Sequence, residues 1–255
     1  MHARRPNLRW QLTGMILLGL AFDCLPAGAV SVNLNPVADT TLQEAFPNNN
    51  LGDGTSFQAG GRRQGGRTRG LLLFDIAGNV PAGATINSVS LTLTVVGVPS
   101  GGVNSIFDLD RMLASWGEGN GSDHGGSPAG AGQSTWNNRL GAGTPWTAAG
   151  GDFSGTVSAS RAITGFGSFT FASTSGLVSD VQGWLNSSGG NSGWLLRSES
   201  ELTPTSIRRF ANRSDIANAP LLSIQYTVVP EPGTFALGAM GLLTGMVLFR
   251  RRQSA

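Results

Sequence analysis

Apolar and polar residues alternate with a period of two along residues 86–98 (INSVSLTLTVVGV), where Val89, Leu91, Leu93 and Val95 point one way and Ser90, Thr92 and Thr94 the other. That period places the apolar set on one face of a half-buried strand. Residues 68–76 (TRGLLLFDI) have a continuous apolar centre and also read as a strand. Shorter strands are expected over residues 106–113, 166–172, 193–197, 207–211 and 221–229. Their number, and the glycine-rich turns between them, predict an all-β fold, a jelly-roll-type β-sandwich. One segment has helical spacing instead: in GLVSDVQGWLN, Leu177, Val181, Trp184 and Leu185 fall at i, i+4, i+7 and i+8. This predicts one short helix, capped by Ser175 or Ser179, closing an end of the sandwich. Residues 117–134 (GEGNGSDHGGSPAGAGQS) show no periodicity and are expected to form a long mobile loop. A second glycine-rich stretch, residues 60–70, carries Arg62, Arg63, Arg67 and Arg69.

The two ends have patterns of their own. A basic HARRPNLR precedes the apolar residues 12–22, and Ala27-Gly28-Ala29 follows. This is the layout of a secretory signal peptide over residues 1–29, carried through the Sec translocon and cut after Ala29 by signal peptidase, with Ala27 and Ala29 as the small residues of the site. The alternative is an uncleaved anchor, although the apolar stretch is shorter than the ~20 residues a span needs. Cys24 is the single cysteine, and the Phe22-Asp23 before it does not suit a lipidation signal. A cut after Ala29 leaves no cysteine, and so no disulfide, thiol nucleophile or thiolate metal site.

Residues 234–249 carry no charge. As a helix they would span about 24 Å, slightly less than a hydrocarbon core of about 30 Å. Arg250, Arg251 and Arg252 orient such a helix with its end in the cytoplasm and the body outside. A buried core helix is the alternative, but no amphipathic pattern is present. Pro230-Glu231-Pro232 keeps the preceding chain extended and accessible. The chain thus divides into residues 1–29, a body over 30–228, and a terminal segment over 229–255.

Composition changes one part of this picture. There are 38 glycines, 12 prolines, 13% charged residues and no lysine, which argues against a helical bundle. The formal charge of +2 suggests a nucleic-acid partner, but six arginines lie in the terminal segments, leaving 11 arginines against 13 acids over residues 30–229. The body is therefore about −2 and lacks the basic excess of a nucleic-acid binder.

Little in the body suggests catalysis. Beyond the leader, His124 is the only histidine, and it lies in the glycine-rich loop, so a Ser-His-Asp triad or a zinc centre is not expected. A glycosidase needs only two carboxylates, for which Glu118, Asp123, Asp108 and Asp110 are candidates. The oxygen-rich NNNLGDGTS (residues 48–56) partly resembles a calcium loop, the alternative being an Asn/Gly turn. A structural calcium, the one cofactor entertained, would fall to Asp39, Asp53 and Asp75. For a sugar ligand, Trp116, Trp136 and Trp146 around the loops are candidate stacking faces, with core packing as the alternative. Arg62, Arg63, Arg67 and Arg69, with Arg208, Arg209 and Arg213, could grip the carboxylates of an acidic polysaccharide.

The terminal Val-Pro-Glu-Pro, apolar span and arginine cluster resemble the PEP-CTERM sorting signal. The resemblance implies a Gram-negative export substrate, anchored in the inner membrane as an intermediate, processed near Pro230-Glu231-Pro232 by an exosortase, and delivered to the cell surface or extracellular matrix. The body also resembles DNRLRE-type domains. Ala38-Asp39-Thr40, Asn50-Leu51-Gly52, RGLLLFDI, VPAGATINSVSLTLTV, Trp116-Gly117-Glu118, Ser134-Thr135-Trp136, DVQGWL, GWLLRS and RRFANRSD before PLLSIQYTV carry this likeness. It implies a β-sandwich of a secreted bacterial protein, related to carbohydrate-binding modules with uronate polymers among their ligands. The expectation is a non-enzymatic surface or matrix protein that binds acidic exopolysaccharide. The alternatives are a secreted polysaccharide-acting hydrolase or lyase, and a purely structural matrix protein.

Overall fold

The computed structural model describes residues 28–122 and 125–228. Residues 1–27, most of the expected signal peptide with Ala27 of its cleavage site, the terminal segment with Pro230, Glu231, Pro232 and Arg250 to Arg252, and Asp123 and His124 lie outside the described residues.

The chain forms β1 (Ala29–Leu34), β2 (Ala38–Gln43), β3 (Asn49–Asn50), β4 (Ser56–Gly61), β5 (Arg67–Leu73), β6 (Thr85–Gly97) and β7 (Ser105–Met112). There follow β8 (Ser127–Pro128), β9 (Phe153–Ile163), β10 (Gly167–Phe171), α1 (Ser175–Asn186), β11 (Trp194–Ser198), β12 (Arg208–Ala211) and β13 (Leu221–Thr227). The fold is all-β with one short helix, as the alternation and the single helical stretch predict.

The strands make one curled antiparallel sheet in the order β1-β13-β6-β12-β4-β5-β11-β7-β9, with β10 added on β6 and β2 on β5. It turns over at β4. That strand pairs with β12 on one side, Arg208 opposite Ala59, and with β5 on the other, Gly60 opposite Thr68. A front layer (β1, β13, β6, β10, β12) thereby faces a back layer (β2, β5, β11, β7, β9) like a sandwich.

Between the layers lies the main core. The β6 side chains Val89, Leu91, Leu93 and Val95 are buried there with Leu72, Phe107, Leu109 and Trp194 from the back layer. Phe210 stacks on Phe57 at 5.2 Å between ring centroids and meets Phe107 edge-on at 5.7 Å. The helix buries Leu177, Val181, Trp184 and Leu185, the four residues its spacing selects. Its cap, however, is Thr174 rather than Ser175 or Ser179, because the Thr174 hydroxyl accepts the Leu177 N–H.

The back layer is buried on its other face as well. Leu72, Trp194, Leu196 and Leu109 point into the main core, while the alternate residues Leu71 and Leu195, with Leu42 and Met112, form a second apolar cluster. An antiparallel sheet commonly leaves such a face wet. Here the described residues of 113–152, between β7 and β9, fold back over it, with Trp116, Trp136 and Trp146 in the same cluster.

The expected mobile loop over 117–134 is corrected by this arrangement. Asn50 is fully buried at its centre, its amide nitrogen donating to the Glu118 carbonyl (2.7 Å) and the Ser134 carbonyl (2.9 Å). Its side-chain oxygen accepts the N–H groups of Gly52 (3.0 Å) and Gly121 (2.9 Å). The strand pair β3–β8 adds Asn49 opposite Pro128. Gly121 and Gly126 approach so closely that a Cβ on either would collide with the Asn50 carbonyl. The glycines serve close packing of backbone on backbone, with all four hydrogen-bonding positions of one amide side chain used.

Candidate functional site

The arginines sort by where their strand sends them. In β5, Arg67 and Arg69 alternate with the core-facing residues and so enter the second layer. Arg69 is buried, forks onto Glu201 (Nε to Oε2 3.0 Å, Nη2 to Oε1 2.7 Å) and donates to the Gly150 carbonyl at 2.9 Å. Arg67 forks onto Glu44 at 3.0 and 2.7 Å. Both guanidinium groups lie over the Trp136 ring, 5.0 and 5.1 Å from its centroid. Neither arginine is left for a ligand.

The tryptophan expectation is corrected for the same reason. Trp116, Trp136 and Trp146 are 8, 3 and 4% exposed, and all three belong to the second apolar cluster. The Trp116 indole N–H donates to the Ser192 carbonyl (2.9 Å) and that of Trp146 to the Thr135 carbonyl (2.8 Å). A stacking platform needs an open ring face, and these rings cover Leu71 and Leu195 instead.

The calcium set does not assemble. Asp39 is buried and accepts the Arg213 N–H at 2.7 Å, Asp53 is exposed, and Asp75 caps a turn by accepting the Gly78 N–H at 2.9 Å. Among the described residues no group of three or more His, Cys, Asp or Glu side chains is placed to hold a metal ion. The expectation of Asp39, Asp53 and Asp75 as joint ligands is therefore corrected.

Three of the carboxylate candidates, Asp108, Asp110 and Glu118, form ion pairs within the fold. Arg197 bridges Asp108 (3.0 Å) and Asp110 (2.7 Å) on neighbouring β7. Burial pushes the Asp110 carboxyl up, against the lowering effect of Arg197. Glu118 accepts both forks of Arg213 (2.6 and 2.8 Å) and the Asp39 N–H (2.8 Å). Arg208 is fully buried, donating to the Ile207 and Val103 carbonyls at 3.0 Å each.

Arg62, Arg63 and Arg209 are left, and the fold brings these three together. They line a groove of about 440 Å³ formed by the β4–β5 turn, the end of β6 and the start of β12. No acidic residue lines it. The Arg62 guanidinium is held by the Gln43 side chain (2.6 Å) and lies 5.0 Å from the Phe46 ring centroid. Burial without a carboxylate partner holds its pKa below the ordinary arginine range. Arg209 runs its stem across Gly97, where an added Cβ would come within 3.0 Å of the Arg209 Cβ. At the groove's edge, in the turn between β9 and β10, stands Phe166, 69% exposed.

Phe166 went unrecognised in the sequence because it reads as the first residue of an apolar strand. Its exposure follows from the strand starting one residue later, at Gly167. An exposed ring in the same lining as three arginines that have no carboxylate partner offers an apolar face and carboxylate-binding donors in one groove.

This is an all-β body whose last strand ends at Thr227, followed directly by a sorting segment. Residues 228–252 match the PEP-CTERM protein-sorting motif, a span that takes in Pro230, Glu231, Pro232 and Arg250 to Arg252. The motif marks an exported protein that an exosortase processes and that is anchored transiently at the membrane. No curated protein matches the chain. Among the described residues no helix is long and apolar enough to cross a membrane, and the apolar residues 234–249 lie outside them.

Proposed function

We propose that this exosortase-sorted protein is a non-enzymatic component of the bacterial surface or matrix, and that it binds acidic polysaccharide in the groove of Arg62, Arg63 and Arg209. The observation that carries this reading is that three arginines line one open groove with no acid in its lining. Guanidinium groups that lack an internal carboxylate suit those of uronate sugars, in a bidentate fork. The front layer supports the reading. Its outer face carries Thr92, Thr94, Ser168 and Thr170, cross-strand hydroxyls bonded at 2.9 and 3.0 Å and suited to a hydrated sugar surface. The likeness of the body to DNRLRE-type domains points the same way.

The absence of catalysis is part of the proposal. Asp108, Asp110 and Glu118, three of the four acids considered for glycoside cleavage, are each engaged by an arginine, whereas a general acid needs a proton to give and a reachable glycosidic oxygen. Retention on immobilised alginate and hyaluronan tests the groove. The parent protein is retained at low ionic strength and released by salt, and the Arg62→Ala/Arg63→Ala/Arg209→Ala variant passes through. Equal retention of the two would remove the groove from the reading, and a protein retained by neither polymer would leave a structural matrix role.

A further inference from the structure

Two breaks in the β7–β9 ladder lie away from the arginine groove, where β9 passes α1. The strands keep register as far as Leu109 opposite Ala159, but then Asp110 faces Val157 and Met112 faces Phe153. Ser158 is the extra residue at the first break. At the second, Ser154, Gly155 and Thr156 stand against Arg111 alone. Bulges bend a strand and re-aim its side chains, and are over-represented beside functional sites. Here Ser154, Thr156 and Ser158 line a cavity of about 410 Å³, together with Arg111 and with Asp180 and Trp184 of α1. It shares no lining residue with the groove of Arg62, Arg63 and Arg209. Its volume is that of a small-molecule cleft, ~300–1,000 Å³.

One anion and one cation face each other in this lining. Asp180 Oδ2 accepts the Ser158 hydroxyl and the Trp194 indole N–H (2.9 Å), while the Arg111–Asp180 ion pair closes at 3.2 Å between Nε and Oδ1. The Arg111 side chain is 42% exposed, so its guanidinium group is open to a ligand. Two features of α1 have no explanation in the packing of the fold. Gly183 lies inside the helix, where glycine is unfavourable, yet a Cβ added there would meet nothing within 4 Å. Trp184 packs edge-on against Trp194, and its buried indole N–H has no acceptor among the described residues. Such orphan donors are rare and costly.

We infer that this cavity is a second carbohydrate site, which takes an uncharged sugar and works independently of the arginine groove. Neighbouring sugar hydroxyls both donate and accept hydrogen bonds. They match the Asp180 carboxylate on one side and the Arg111 guanidinium on the other, with the hydroxyls of Ser154 and Thr156 beside them. A carboxylate in the same place would gain Arg111 but face Asp180. The space over Gly183 admits the sugar ring.

Titration of the isotope-labelled protein with cellohexaose, mannohexaose and maltohexaose, with hexagalacturonate as the acidic counterpart, tests this. The readout is the Trp184 indole N–H resonance, assigned with Trp184→Phe. At least one neutral hexasaccharide is expected to shift it, with an affinity that changes by less than about twofold with salt. Arg111→Ala is expected to weaken that binding about tenfold or more. Gly183→Leu is expected to abolish it while leaving the melting temperature unchanged or raised. The Arg62→Ala/Arg63→Ala/Arg209→Ala variant is expected to bind as the parent does. No shift with any neutral hexasaccharide, undiminished binding by Gly183→Leu, or a stronger effect of hexagalacturonate on this resonance would overturn the inference. Each of these results leaves retention of acidic polymers at the arginine groove standing, so the two readings fail separately.

Discussion

Asp39 shows how a single carboxyl can be held away from its ordinary state. Burial pushes it up to about 6; the Arg213 N–H and charge pull it down, and the Glu118 charge pushes it further up. A folded value above the unfolded one of 3.8 means the native state binds the proton more tightly. Its contribution is thus full below pH ~4 and is lost as the pH rises through ~6. Asp39→Asn keeps an oxygen for the Arg213 N–H and removes the buried charge. It is expected to raise stability at pH 8 by about 1–3 kcal/mol, and to change little at pH 4, as read by denaturant unfolding. A variant less stable than the parent at pH 8 would contradict this.

Asn50 works at the same scale through hydrogen bonds. Asn50→Ala leaves two carbonyls and two N–H groups unpaired within the packed loop. The expected loss is about 2–4 kcal/mol, with the groove residues untouched and polysaccharide retention preserved. The sequence shows Asn50 only as the third of three asparagines in a turn-like run. Nothing in that run says that one side chain will organise residues more than sixty positions away.

At the scale of elements, alternation identified β6 because one face meets the core and the other meets solvent. It failed at β2 (ADTTLQ), where the core covers one face and the folded-back segment the other, leaving no alternation to read. It failed at β9 as well, a largely exposed edge strand of small residues paired only with β7. The same hidden layer explains the tryptophans and two of the four arginines of residues 62–69. Residue type marks Trp136 equally as platform or core, and only the placement of residues 113–152 over β5 and β11 decides. Trp136→Ala should accordingly cost about 3–5 kcal/mol of stability, as for other buried aromatics, with polysaccharide affinity unchanged under conditions where the variant stays folded. A selective loss of affinity without loss of stability would return Trp136 to the binding surface.

For the molecule as a whole, β1 and β13 lie side by side, with Ala29 opposite Thr227. The matched sorting motif begins at Val228, one residue beyond that ladder. The body is thus held at the very edge of its export segment until processing. Its basic character is local as well: the fold pairs Arg67, Arg69, Arg197 and Arg213 with acids and gathers Arg62, Arg63 and Arg209 without any.

That local excess is what the most direct measurement addresses. Titration of hyaluronan into the parent and into Arg62→Ala/Arg63→Ala/Arg209→Ala, at two ionic strengths, should give salt-sensitive binding for the parent and at least about a tenfold loss for the variant, as removal of charge-assisted contacts implies. Parent and variant binding alike, with the same salt response, would contradict the groove as the site of acidic-polysaccharide binding.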